Sequence, residues 1–66
     1  MTLVLNGQSR SFDGPLTVGA LVDGEVADRR GVAVAIDGDV LPRSSWDTTT
    51  LHDGAKIELV GAVQGG

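Results

Sequence analysis

Cysteine is absent from the 66-residue chain, so no disulfide braces it and no thiolate is present to bind a metal or act as a nucleophile. A cysteine-free small domain fits a reducing compartment, and a cytoplasmic location is expected. Histidine occurs once, at His52, so the spacing of a metal-binding motif is missing as well. Basic residues are few, with five Lys and Arg against nine Asp and Glu, for a formal net charge of −4 at pH 7. A surface that tracks phosphates needs clustered Lys and Arg, and only Arg29-Arg30 are adjacent here, so nucleic acid is not an expected partner. No window approaches the ~20 apolar residues of a membrane span. The opening "MTLVLNGQSR" lacks the basic leader and long apolar stretch of a signal peptide. The expectation is a soluble protein with no membrane contact.

With no staple available, burial of aliphatic side chains must hold the chain together, and 41% hydrophobic content makes this feasible. A domain of this size buries only roughly 60% of the surface its unfolded chain exposes, so its core is small. Thr2–Asn6 reads as a strand with Leu3 and Leu5 on one face. Asn6-Gly7 is a hairpin signal because both residues tolerate positive φ, and a return strand is predicted over Ser9–Phe12. Asp13-Gly14-Pro15 then breaks the pattern. Thr17 is a helix cap, and Val18, Leu21, Val22 and Val26 follow as one helical stripe. Gly24 lies within that stripe, so the helix is expected to stop near Asp23, with Gly31 as a later terminator.

"VAVAI", Val32–Ile36, is a continuous apolar run suited to a strand that is covered or central. Asp37-Gly38 predicts a second hairpin, with Asp39–Leu41 returning and Pro42 ending the pairing. "RSSWDTTTLHDGA" has turn composition around one large anchor, Trp46. "KIELV" alternates, placing Ile57 and Leu59 on one face and Val60 on the other. The resulting order is strand, strand, helix, strand, strand, irregular stretch, strand. It predicts a two-layer α+β domain.

The final residues, "LVGAVQGG", raise a chemical question. Two closing glycines after an apolar strand are either a frayed end or a deliberate reach. Glycine has no side chain to pack and loses the most conformational entropy on ordering.

Other residues keep two readings. Val60 is a docking contact near the tail or part of a covered sheet face. Trp46 belongs to a partner-facing patch or caps the core, and Arg43 meets an acidic partner group or is a solvated turn residue. Asp23 and Glu25 are candidate docking charges or simply solvated. Arg29 and Arg30 suit the negative end of the helix dipole. His52 reads as a surface turn residue, and no nucleophile–base or metal constellation indicates an enzyme.

The element order resembles the ubiquitin-like β-grasp, a mixed sheet of about five strands packed on one helix. "VAVAIDGDVLPRSSW" followed by "LHDGAKIELVGAVQGG" resembles the ThiS family of sulfur-carrier proteins of thiamin biosynthesis. The resemblance runs from Leu3 to Gly66. It is most specific at Pro42-Arg43-Ser44, Trp46, Asp53-Gly54 and the closing Ala62-Val63-Gln64-Gly65-Gly66. The departure is "LVDGEVADRR", which carries Gly24 and reads as a shorter helix than the family's.

The resemblance implies a β-grasp domain over residues 1–63 and a flexible tail over 64–66. Gly66 would carry sulfur as a thiocarboxylate, with Gln64 and Gly65 completing the tail and Val60, Val63, Arg43 and Trp46 as candidate partner contacts. It also implies an E1-like, ThiF-like adenylating enzyme using Mg-ATP, a sulfur donor system, and a ThiG-like thiazole synthase as acceptor. The carrier would bind no cofactor and catalyse nothing itself. The alternatives are a carrier like the small subunit of molybdopterin synthase, or a ubiquitin-like interaction module whose tail is never activated.

Overall fold

A computed structural model describes residues 1–61. Strands β1 (Thr2–Leu5) and β2 (Gln8–Ser11) form the first hairpin, and β3 (Val32–Ile36) and β4 (Asp39–Leu41) the second. Both turns are two residues long, and both central residues have positive φ: Asn6 49° and Gly7 83°, then Asp37 51° and Gly38 90°. That geometry matches the twist of the flanking strands, which explains the Asn-Gly and Asp-Gly pairs. β2 ends one residue earlier than the predicted return strand, leaving Phe12 partly buried against the core.

Strand β5 (Lys56–Gly61) joins the two hairpins, giving the sheet order β2-β1-β5-β3-β4. It runs parallel to β1 and antiparallel to β3, so the sheet is mixed. The parallel seam is short, pairing only Val4 with Lys56 and Leu5 with Ile57. Asn6 extends it: its Nδ2 donates to the Leu59 carbonyl at 3.3 Å, and its Oδ1 accepts the Leu59 N–H at 2.9 Å.

Helix α1 (Val18–Glu25) packs across one face. Thr17 Oγ1 accepts the Ala20 N–H at 3.1 Å, satisfying a donor that the first turn leaves free. The helix passes through Gly24 and ends at Glu25, two residues beyond the predicted stop near Asp23. Val26 closes it in an extended conformation, with its N–H bonded to the Val22 carbonyl, and its side chain still packs on the core. Burial of Val18, Leu21 and Val22 offsets the propensity cost of Gly24.

A 3-10 helix over Arg43–Thr48 follows Pro42 and closes the same layer. It approaches α1 so closely that a Cβ at Gly19 would overlap Asp47 Oδ1. Between the layers lie Leu3, Leu5, Val34, Leu51, Ile57 and Trp46, each at most 5% exposed. β3 has neighbours on both edges, as expected of its apolar run, but only Val34 is fully buried and Ala33 is exposed. One sheet face is therefore open.

Candidate docking face at the end of the last strand

The strand registers define that open face. Val34 points into the core, so Ala33 and Ala35 point away from it. Ala33 sits opposite Val60, while Ala35 lies between Val40 on β4 and Glu58 on β5. Directly paired residues share a face, so Val40, Ala35, Ala33 and Val60 form one apolar strip with Glu58 beside it. Val40 is 77% exposed and Val60 61%, the two large hydrophobic residues left exposed among the described residues. Isolated exposed valines are ordinary, but two on one sheet face beside small alanines make a smooth, easily desolvated surface.

The outward position of Val60 agrees with strand parity. Val40 was not singled out from the sequence, although the signal was there. A two-residue turn at Asp37-Gly38 sets Ala35 opposite Val40, and the parity of β3 then assigns both to the open side.

Trp46 falls on the other side of the domain. It is 1% exposed, and its Nε1–H donates to the Leu41 carbonyl at 3.1 Å. That burial overturns its candidacy as a partner contact, because the ring has no surface left to offer. Arg43 is exposed and lies over the indole, with its guanidinium carbon 5.7 Å from the ring centroid. Arg29 lies at the same distance. Arg43 thus sits on the helix side, away from the Val40–Val60 strip.

The acidic docking candidates are engaged within the chain. Asp23 receives Arg29 Nε–H at 2.8 Å, and Glu25 pairs with Arg10 at 2.8 Å. Arg29 also reaches Asp47 at 2.9 Å, bridging α1 to the 3-10 helix, and Arg30 pairs with Asp28 at 2.7 Å. Arg29 and Arg30 are not in the last helical turn, so the expected dipole role gives way to these ion pairs. Hydrogen bonding from Arg29 holds the Asp23 carboxyl below its ordinary pKa, and Arg30 does the same for Asp28.

His52 is exposed, with Nε2 3.0 Å from Asp37 Oδ2 and Nδ1 3.0 Å from the Asp53 carbonyl. Hydrogen bonds to Asp37, then to Asp53, raise its pKa above the usual histidine value. Among the described residues, no group of three His, Asp or Glu side chains is arranged to hold a metal ion. No helix there is long and apolar enough to cross a membrane. The tail residues Val63, Gln64, Gly65 and Gly66 lie outside the described residues.

Two hairpins joined through a last strand that runs parallel to the first, with one helix across one face, define a ubiquitin-like β-grasp domain. The profile of the ThiS family matches residues 3–66, and the chain belongs to that family. The crystal structure of a thiamine biosynthesis protein (ThiS) from Geobacter metallireducens superposes with a TM-score of 0.84 at 36% identity, covering 100% of both chains. The solution structure of a thiamine biosynthesis protein from the same organism gives 0.82 at 36% identity, over 100% of this chain and 88% of the other. Among curated relatives, a thiazole synthase of Paramagnetospirillum magneticum is 39% identical over 66 residues. The chain spans 20% of the length of that relative.

Proposed function

We propose that this chain is a sulfur carrier whose reactive atom is the carboxyl carbon of Gly66. The family match that runs to the final glycine is the observation that carries this reading. In the proposed cycle a ThiF-like, E1-like enzyme uses Mg-ATP to adenylate the Gly66 carboxylate, with pyrophosphate leaving. Sulfide-level sulfur from the donor system then attacks the acyl carbon and displaces AMP, and the resulting thiocarboxylate gives its sulfur to the thiazole ring of thiamin in exchange for an oxygen atom, which restores the Gly66 carboxylate. The chain supplies no catalytic group; its contribution is an unhindered acyl carbon and a surface by which others hold it.

The Val40–Val60 strip is the proposed holding surface. Val60 precedes Gly66 by six residues, so an enzyme seated on it has Gly66 within at most about 22 Å. The Paramagnetospirillum magneticum relative supports a ThiG-like thiazole synthase as the acceptor, since a segment similar to this whole chain makes up a fifth of that protein.

Intact mass after incubation with the adenylating enzyme, Mg-ATP and a sulfur source tests the carrier chemistry. The expected result is a gain matching one oxygen replaced by sulfur, absent when Gly66 is deleted. An unchanged mass, with the enzyme active on another carrier, would replace this reading with that of an interaction module. Val60→Asp and Val40→Asp test the surface. Each is expected to slow adenylation at least tenfold, because a carboxylate would be desolvated in the interface, while thermal stability stays within a few degrees of the parent. Unchanged activation by both variants would remove the strip from the proposal.

A further inference from the structure

His52 lies in the loop that leads into β5, and both of its ring nitrogens face oxygens that can only accept. Nδ1 is 3.0 Å from the Asp53 carbonyl oxygen and Nε2 is 3.0 Å from Asp37 Oδ2. A neutral imidazole has one N–H and one lone pair, so either tautomer would set a lone pair against an oxygen. Only the imidazolium donates to both.

What the ring connects gives this arrangement a consequence. Asp37 is the first residue of the β3–β4 turn. Its Oδ1 accepts the Lys56 N–H at 3.0 Å, and its own N–H donates to the Lys56 carbonyl at 2.8 Å. The loop carrying His52 is tied in turn to β1: Asp53 Oδ1 accepts the Thr2 N–H at 2.7 Å, and Gly54 N–H donates to the Thr2 carbonyl at 2.7 Å. The imidazolium thus bridges the second hairpin to the segment that holds the first. It does so where β5 begins, beside the short parallel seam.

We propose that His52 is a proton-operated latch: as imidazolium it fastens the β3–β4 turn to the loop entering β5, and loss of its proton gives up one of the ring's two hydrogen bonds and loosens that fastening, while the Asp37–Lys56 hydrogen bonds remain. The charged side chains facing it are Asp37 from the turn and Asp53 from its own loop, while Lys56 from β5 shares Asp37. β1 and the Leu16–Val18 segment, which pairs with the stretch just before His52, carry no charged side chain. Both anions favour the charged ring. With its side chain 65% exposed, the ring exchanges protons freely with solvent, so the latch follows bulk pH. It tightens as pH falls and loosens as pH rises through the ring's elevated midpoint. The latch sits at the start of β5 and the tail leaves from its other end, so the proposed sulfur chemistry and the latch can be tested separately.

The test is NMR on the full-length 15N-labelled chain from about pH 5 to 9, a range that brackets histidine titration. It combines ring nitrogen shifts of His52 with amide protection factors of Asp37 and Lys56, in the parent, His52→Gln and Asp37→Asn. At about pH 6.5, where an unperturbed histidine is half protonated, both ring nitrogens are expected to carry protons in most molecules. Protection at Lys56 should fall about two- to fivefold through the ring's titration, the scale of an exposed ion pair. His52→Gln should abolish that pH dependence. Asp37→Asn keeps a residue that tolerates the turn's positive φ and should lower the ring's midpoint. A ring already neutral at pH 6.5, or the same pH dependence of protection in His52→Gln, would overturn the latch.

Discussion

The largest single side chain in the core also illustrates how little a lone residue type reveals. Trp46 is the chain's one tryptophan, and its indole is enclosed while its N–H is satisfied by the Leu41 carbonyl. Two guanidinium groups cover its surroundings, so the ring is held by packing, one hydrogen bond and cation–π contact together. Trp46→Phe removes ring volume and leaves the carbonyl without its donor. The expected cost is about 2 kcal/mol, read as a lower urea midpoint with an unchanged slope in far-UV circular dichroism. No loss of stability would show that the indole is not a core anchor. The sequence placed this residue beside a turn but could not say which way it faced. Direction depends on the 3-10 helix folding back against α1, a tertiary contact.

Among the elements, α1 departs most from expectation, and its two glycines separate propensity from packing. At Gly24 a Cβ would meet nothing within 4 Å, so Gly24→Ala should raise stability by about 0.5–1 kcal/mol. At Gly19 a Cβ would displace the Asp47 carboxylate that Arg29 holds, so the same substitution should gain less. Comparing Gly19→Ala in the parent and in Asp47→Ala by chemical denaturation checks this; equal effects in both backgrounds would contradict the close approach. The helix start was legible because Thr17 acts locally through its own hydroxyl. Its end was not, because Gly24 is tolerated only where the neighbouring apolar residues are buried. The hairpins were legible for the same reason as the cap: their turns depend on two residues each.

For the whole molecule, ionisation links fold stability to pH from both sides. Asp23, Asp28 and Asp37 have folded pKa values below the unfolded one. Their contribution is therefore complete above about pH 4 and is lost as pH falls through the lowered values. His52 is shifted upward, so its contribution is complete below about pH 6.5 and is lost as pH rises through the folded value. Net charge of −4 at pH 7 adds mutual repulsion as acids ionise. Thermal melts at constant ionic strength should therefore show greatest stability between about pH 4.5 and 6.5, with a shallow decline above. A maximum above pH 8 would contradict this assignment.

Readable from the chain alone were the turns, the succession of elements, the helix cap, the inward face of β5 and the family. Each of these depends on local dihedral preference, on residue parity, or on a motif read in a line. Only the tertiary structure decided that Val40 joins Val60 across β3, that Trp46 is enclosed, and that Arg29 ties α1 to the 3-10 helix. It also decided that His52 faces two acceptors at once. These depend on segments far apart in the chain arriving side by side, and on the direction in which each side chain then points. Local preferences limit such arrangements, but packing selects among them.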